Sequence, residues 1–84
     1  MIIDRLMEKA RSYMPPEKVA QVKQAYEFSA KAHEGQFRLS GEPYVEHPVQ
    51  VALTLAELQL DASAVIAGLL HDVLENCGIP IIVL

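Results

Sequence analysis

The chain has few of the residues that stabilise small secreted domains. Cys77 is the single cysteine among 84 residues, so no internal disulfide can form, and the sequence predicts a reducing, cytoplasmic setting. Tryptophan is absent and there are only two phenylalanines, yet 51% of the residues are hydrophobic. The apolar content is therefore aliphatic, rich in Ala, Leu and Val, and it favours helices over a β-sandwich.

The sequence also lacks an apolar segment long enough to cross a membrane, and its second half has no basic residues. Charge appears at Asp4 and Arg5, too early for a signal peptide, and no segment reaches transmembrane length. No Lys or Arg follows Arg38, so residues 39–84 carry six acids and no base. The net charge of −4 argues against nucleic acid as a partner. We expect the acidic second half to face solvent, to bind cations or to pack against the basic first half.

Hydrophobic periodicity predicts four helices and an all-α fold. Pro15 and Pro16 end the first helix and begin the second, and Gly35 ends the second. Turn residues such as Gly41 and Pro43 then indicate a loop. The predicted helices span about 3–13, 16–34, 47–58 and 62–76, and the loop spans 36–46.

The third helix has an alternative interpretation as a strand. Apolar side chains at 49, 51, 53 and 55 also alternate as in a strand, but Pro48 at the start and the alanines favour a helix. Asp61 is a suitable N-cap for the fourth helix. Because this helix is apolar almost all round, we expect it to be the central, buried one.

An adjacent histidine–aspartate pair, His71 and Asp72, lies within that apolar run. Burying an imidazole beside a carboxylate costs several kcal/mol unless each finds a partner, and a divalent metal satisfies both. His47, directly before Pro48, is the candidate third ligand. The competing interpretation is a core histidine whose tautomer is held by the aspartate. The spacing between the histidines matches no zinc-finger or HExxH pattern.

Several further motifs occur in order with this pair, over about residues 20–80. They are the stretches 25–36 (AYEFSAKAHEGQ), 38–44 (RLSGEPY), 47–48 (HP) and 70–75 (LHDVLE). In this combination the chain resembles the HD phosphohydrolase superfamily. More closely, it resembles the N-terminal hydrolase domain of Rel/Spo-type (p)ppGpp synthetase/hydrolases. The resemblance implies a four-helix HD-domain core, incomplete at the C-terminus, with residues 1–84 as the N-terminal part of a single hydrolase domain.

The resemblance also implies site residues. His47, His71 and Asp72 correspond to ligands of one Mn²⁺, and the loop from Arg38 to Tyr44 would frame a guanine nucleotide. Arg38 can stack on a base or meet a phosphate. His33 is expected to be a core histidine or a residue that contacts the metal ligands without binding the metal itself. The nucleotide-binding residues that the resemblance implies are Arg38, Ser40, Glu42 and Tyr44.

The implied reaction is metal-dependent removal of the 3′-pyrophosphate from (p)ppGpp, giving GDP or GTP. Glu75 would position or activate the attacking water. Asn76 stands where the family usually has Asp, and an amide can orient a water but cannot take its proton. Leu39 replaces a usual Lys, and the family's downstream aspartate ligand has no counterpart in these 84 residues. We therefore expect hydrolysis by this chain to be absent or very slow.

Two other functions remain open at this point. One is a catalytically silent helical regulatory module of a GTP pyrophosphokinase, and the other is an HD phosphohydrolase for another nucleotide. The last six residues, 79–84, are aliphatic apart from Pro80. Exposed, they would form an apolar patch that soluble monomers rarely tolerate. In a longer parent protein, we expect following helices to cover them. In this chain they would fold back over the first helix or pair with a second copy, and we favour a homo-oligomer.

Overall fold

The computed structural model describes residues 2–76, except for the side chains of Asp72, Leu74, Glu75 and Asn76. Within this range the chain has no strand beyond a single β-bridge, so the all-α prediction is confirmed. Cys77 and the apolar segment 79–84 lie outside the described residues. The helices are α1 (Ile2–Tyr13), α2 (Pro16–Ala32), α3 (Glu46–Glu57) and α4 (Ala62–Asn76).

The two prolines separate α1 from α2 as predicted. A proline disfavours helical backbone in the residue before it, and Met14 lies outside α1 although its N–H still donates to the Ala10 carbonyl at 2.9 Å. Pro15 occupies the N-cap of α2 with φ −66° and ψ 156°. Pro16 begins the helix, where a missing N–H costs nothing because that group has no partner within the helix.

The segment that alternates like a strand is a helix, α3. Its buried residues recur at helical spacing, three or four positions apart, so they line one stripe. The four alternating residues are not buried alike, as they would be on one face of a strand. Val49 and Leu53 belong to the core, whereas Val51 and Leu55 are only half-buried. The buried residues of α3 are Pro48, Val49, Ala52, Leu53 and Ala56.

α4 packs against both α2 and α3. Asp61 caps it as predicted, because its Oδ1 accepts the N–H of Ala64 at 3.0 Å. The helix is not buried all round, however. Positions 63, 67 and 71, four residues apart, form an exposed stripe that includes His71. The expectation that the His71 imidazole is buried is wrong, since the neighbouring helices cover the other faces of α4.

α3 and α4 approach each other closely at Gly68. A Cβ on Gly68 would lie 2.9 Å from Leu55 Cδ1, 3.5 Å from Val51 Cγ1 and 3.7 Å from the Ala52 Cα. Contact with backbone as well as side chains means that the missing side chain lets the two helix axes come together. The relative position of α3 and α4 therefore depends on this glycine.

Tyr13 joins the end of α1 to the connection between α3 and α4. Its hydroxyl donates to the Leu60 carbonyl at 2.6 Å. Burial raises the pKa of Tyr13 above its usual 10.0, and the negative charge of Asp61 raises it further. The neutral, donating form is therefore favoured in the folded chain.

We expect this contact to make the folded state sensitive to alkaline pH. A folded-state pKa above the unfolded value gives stability that is complete below pH 10 and is lost as the pH rises through the folded pKa. Tyr13→Phe should lower the free energy of unfolding by about 0.5–1.5 kcal/mol at neutral pH and should weaken its alkaline decline. Urea unfolding at pH 8 and near pH 10.5 measures both effects. An identical alkaline decline in wild type and variant would contradict this assignment.

Candidate metal and nucleotide site

The packed helices α3 and α4 carry two parts of the predicted site. The two helices are consecutive and joined by residues 58–61, a short connection of the kind that links antiparallel neighbours. Gly68 faces Val51. His47 is four residues before Val51 on α3, and Asp72 is four residues after Gly68 on α4. Four residues correspond to about 6 Å along a helix. In an antiparallel pair, the start of α3, which carries His47, lies toward the end of α4 that carries His71 and Asp72.

The ring of His71 is held by its own helix. Its Nδ1 lies 2.9 Å from the Gly68 carbonyl oxygen, and a carbonyl can only accept, so Nδ1 carries the proton. In the neutral ring Nε2 then has the lone pair. A backbone carbonyl on one ring nitrogen is the usual arrangement behind a metal-binding histidine. The exposed position of His71 also keeps this ring accessible to an ion or substrate.

His47 lines a cavity of about 320 Å³ together with two predicted nucleotide-binding residues, Arg38 and Glu42. Glu46 and Gln50 also line it and were not predicted. Gln50 is three residues from His47 on one helix face, so helical spacing could have found it. Ile2 of α1 completes the lining, and no local pattern points to it. One guanidinium and two carboxylates around an imidazole suit a cation together with an anionic substrate.

The loop from Arg38 to Tyr44, which is predicted to bind a nucleotide, is a tight hairpin. The Arg38 N–H donates to the Glu42 carbonyl and the Gly41 N–H donates to the Arg38 carbonyl, both at 2.8 Å. The Tyr44 N–H closes the loop on the Gln36 carbonyl at 2.9 Å. Gly41 has φ +93°, a conformation that L side chains rarely adopt. The predicted turn residues thus hold Arg38 and Tyr44 on opposite sides of one hairpin.

This hairpin has a second open cavity, of about 520 Å³. Arg38 lines both cavities, so the space beside His47 and the space in the loop adjoin. Phe37 is exposed there and offers an aromatic surface that was not predicted as part of the site. The residues lining the second cavity are Phe37, Arg38, Leu39, Ser40 and Tyr44.

Three aromatic rings connect the loop to the start of α3. The centroids of His33 and Tyr44 are 4.7 Å apart with planes tilted by 34°, and the Tyr44 ring meets His47 edge-on at 6.4 Å. His33 is only 2% exposed, in agreement with the prediction of a core or supporting histidine. Tyr44 therefore contacts His47, a predicted metal ligand, and also lines the second cavity.

The metal triad itself stays a prediction. Among the side chains that the structure describes, no three His, Cys, Asp or Glu form a group able to hold a metal. The side chains of Asp72, Glu75 and Asn76 lie outside the described part. Their backbone positions follow His71 on α4, with Asp72 and Glu75 three residues apart and so on one helix face. The donor set of two imidazoles and a carboxylate suits a divalent transition metal.

Comparison with protein families decides the affiliation of the chain. The model of the family described as "HD domain" matches residues 25–82, which include the loop, His47 and the His71-Asp72 pair. The chain belongs to the HD domain family. HD-domain hydrolases are metal-dependent, which is consistent with a divalent metal at this pair. None of the helices in residues 2–76 has the length and hydropathy of a membrane span.

Curated relatives of this HD domain are long proteins. Bifunctional (p)ppGpp synthase/hydrolase SpoT of Escherichia coli is 45% identical over 75 residues, which is 89% of this chain and 11% of that protein. GTP pyrophosphokinase of Myxococcus xanthus is 50% identical over 64 residues, 76% of this chain and 8% of its own length. Guanosine-3′,5′-bis(diphosphate) 3′-pyrophosphohydrolase of Aquifex aeolicus is 47% identical over 70 residues, which is 83% of this chain and 10% of that protein. The chain thus spans about a tenth of these relatives.

Proposed function

We propose that residues 1–84 are the N-terminal part of the hydrolase domain of a (p)ppGpp synthetase/hydrolase. The reaction is hydrolysis of (p)ppGpp: water attacks phosphorus, the bond to the 3′ oxygen breaks, and GDP or GTP leaves with pyrophosphate as the second product. The names of the relatives support this substrate class. The observation that carries the proposal is the packing of α3 against α4, the two consecutive helices that carry His47 and the His71-Asp72 pair.

His47, His71 and Asp72 are the residues that would hold Mn²⁺. The hydrogen bond from His71 Nδ1 to Gly68 supports this role, because it leaves the lone pair on Nε2 and fixes the ring. When bound, the divalent cation withdraws charge from the pyrophosphate oxygens. His47 and His71 come from two helices, so the site depends on the packing of α3 against α4.

Arg38, Ser40, Glu42 and Tyr44 would bind the guanine nucleotide. Arg38 reaches both cavities, so its guanidinium can contact the base in one and a phosphate in the other. Glu42 lines the cavity beside His47, and Ser40 and Tyr44 line the cavity in the loop. The hairpin hydrogen bonds fix the backbone from which these side chains extend.

Glu75 would take the proton of the attacking water, since it lies one helical turn beyond Asp72. Asn76 would orient that water through its amide. With Asn76 in place of a carboxylate, the chain has one proton acceptor fewer beside the pair than the family pattern has. We therefore expect slow turnover, and binding is the sharper test of function.

Nucleotide binding with and without Mn²⁺ tests this proposal. Isothermal titration of the chain should show tighter binding of ppGpp than of GDP when Mn²⁺ is present, because the two ligands differ by the 3′-pyrophosphate. The preference should disappear in a chelator. Equal affinity for ppGpp and GDP in Mn²⁺ would contradict the proposed substrate, and no binding of either would favour a regulatory module.

Leu39 favours the silent regulatory module as a second candidate. It is fully exposed on the nucleotide loop, where the family pattern has a lysine. An exposed leucine contributes no charge to phosphate binding, so the loop relies on Arg38 alone. The two candidates are separated by restoring the charge at this position.

We expect Leu39→Lys to tighten ppGpp binding about threefold to tenfold at low ionic strength, or roughly 0.7–1.4 kcal/mol. The gain should shrink at 0.5 M salt, because exposed charges are screened. Leu58→Lys is the matched control, since it adds the same charge at another exposed leucine, outside both cavities. Equal effects of the two lysines would show that only net charge matters and would remove the loop from the binding site.

We also propose that the segment 79–84 mediates homo-oligomerisation and that the protein acts in the cytoplasm, as the single cysteine favours. The segment is aliphatic apart from Pro80, and each buried aliphatic side chain would contribute about 1.5–3 kcal/mol. Light scattering on the full chain and on a chain ending at Gly78 tests this, and equal monomeric masses would refute it.

A further inference from the structure

His33 is a buried histidine outside the proposed ligand set. It occupies the C-cap of α2, where its N–H donates to the Ser29 carbonyl at 3.0 Å. Its Nδ1 lies 3.1 Å from Oε1 of Gln36, the first residue of the loop after the α2 turn. Buried polar groups are normally hydrogen-bonded, and the contact with Gln36 meets this need for Nδ1. These contacts fix the plane of the His33 ring at the base of the nucleotide loop.

The fixed His33 ring supports Tyr44. The two rings are stacked at a tilt with centroids 4.7 Å apart, and the Tyr44 backbone is tied to Gln36 by a 2.9 Å hydrogen bond. Tyr44 is thus held both at its ring and at its backbone. Its ring then meets His47 edge-on at 6.4 Å, a geometry that aromatic pairs prefer. The orientation of His47 is therefore linked to His33 through one intervening ring.

We propose that His33 is a positioning residue, which acts through Tyr44 to set the orientation of the His47 ring and of the nucleotide loop. This inference rests on the proposed function, in which His47 is a metal ligand. His47 lies in the first turn of α3. A ring that packs against it from outside reduces its rotational freedom before an ion arrives. Groups behind a ligand typically affect metal affinity about 10–100-fold.

The test compares three substitutions of His33. His33→Ala removes both the stack and the hydrogen bond, and we expect about tenfold weaker Mn²⁺ binding, measured by the electron paramagnetic resonance signal of unbound Mn²⁺. His33→Phe keeps a ring against Tyr44 and should recover most of the affinity. His33→Gln keeps hydrogen-bonding capacity without a ring and should behave like His33→Ala. Recovery by Gln but not by Phe would overturn the stacking proposal.

Val22→Ala is the control for stability alone. Val22 is a fully buried residue of the same helix, remote from the loop in sequence. Its truncation should lower the melting temperature while leaving the Mn²⁺ affinity of the folded chain unchanged. If Val22→Ala and His33→Ala weaken Mn²⁺ binding equally at matched stability, the role of His33 is only structural.

A second readout needs no metal. In the metal-free chain, His33→Ala should shift the ring proton resonances of His47 and increase ring mobility in nuclear spin relaxation, because the Tyr44 ring is no longer held. Unchanged His47 resonances in His33→Ala would overturn the positioning role, whatever the metal does. A wild-type chain that binds no Mn²⁺ would overturn the proposed function instead, and the His47 resonances would still decide the role of His33.

Discussion

Replacing His47 by alanine is expected to weaken Mn²⁺ binding by at least about 100-fold. This is the upper end of what supporting groups contribute, and a ligand contributes more than its support. The argument depends on the packing of α3 against α4, because His47 and the His71-Asp72 pair are on these two helices. Titration of Mn²⁺ against the metal-free chain, followed by electron paramagnetic resonance, measures the change.

Two comparisons make this result specific. His47→Gln fills a similar volume and also lacks the imidazole, so it should lose as much affinity as the alanine variant. Glu57→Gln removes a charge from the other end of α3, away from the cavity beside His47, and should leave the affinity within about twofold. Wild-type affinity in both His47 variants would show that the metal, if bound, has other ligands.

Leu69→Ala is expected to destabilise the chain by about 2–5 kcal/mol. Leu69 has no exposed surface and belongs to the hydrophobic core cluster where α4 packs on its neighbours. An 84-residue chain has a small core, so its free energy of unfolding is expected to be near the lower end of the usual 5–15 kcal/mol. A loss at the upper end of the range of about 2–5 kcal/mol would bring the free energy of unfolding close to zero and leave a large part of the population unfolded at 25 °C.

Leu58→Ala is the matched control for that experiment. Leu58 is 67% exposed, just after α3, so the same change of side chain removes little buried surface. Its effect should stay within about 0.5 kcal/mol. Urea denaturation followed by circular dichroism gives both free energies of unfolding. Similar losses for the two leucines would mean that α4 does not pack on the core through Leu69.

The sequence by itself determined the helices and the family. Pro16 begins α2 because of its own ring, and Asp61 caps α4 through its own carboxylate. These are local effects, decided within a few residues along the chain. The strand-like alternation in α3 was resolved correctly because Pro48 favours a helix start. The ordered motifs from the loop to the His71-Asp72 pair were sufficient to identify the HD domain family.

Tertiary structure alone decided which faces are covered and which residues meet. His71 lies in an apolar run, yet it is exposed, because only the other faces of α4 are packed. Ile2 lines the cavity beside His47, and His33 reaches that residue through Tyr44. Periodicity describes one helix at a time and contains no information about its neighbours. The positions of separate helices depend on close approaches such as the one at Gly68, where packing in three dimensions decides the register.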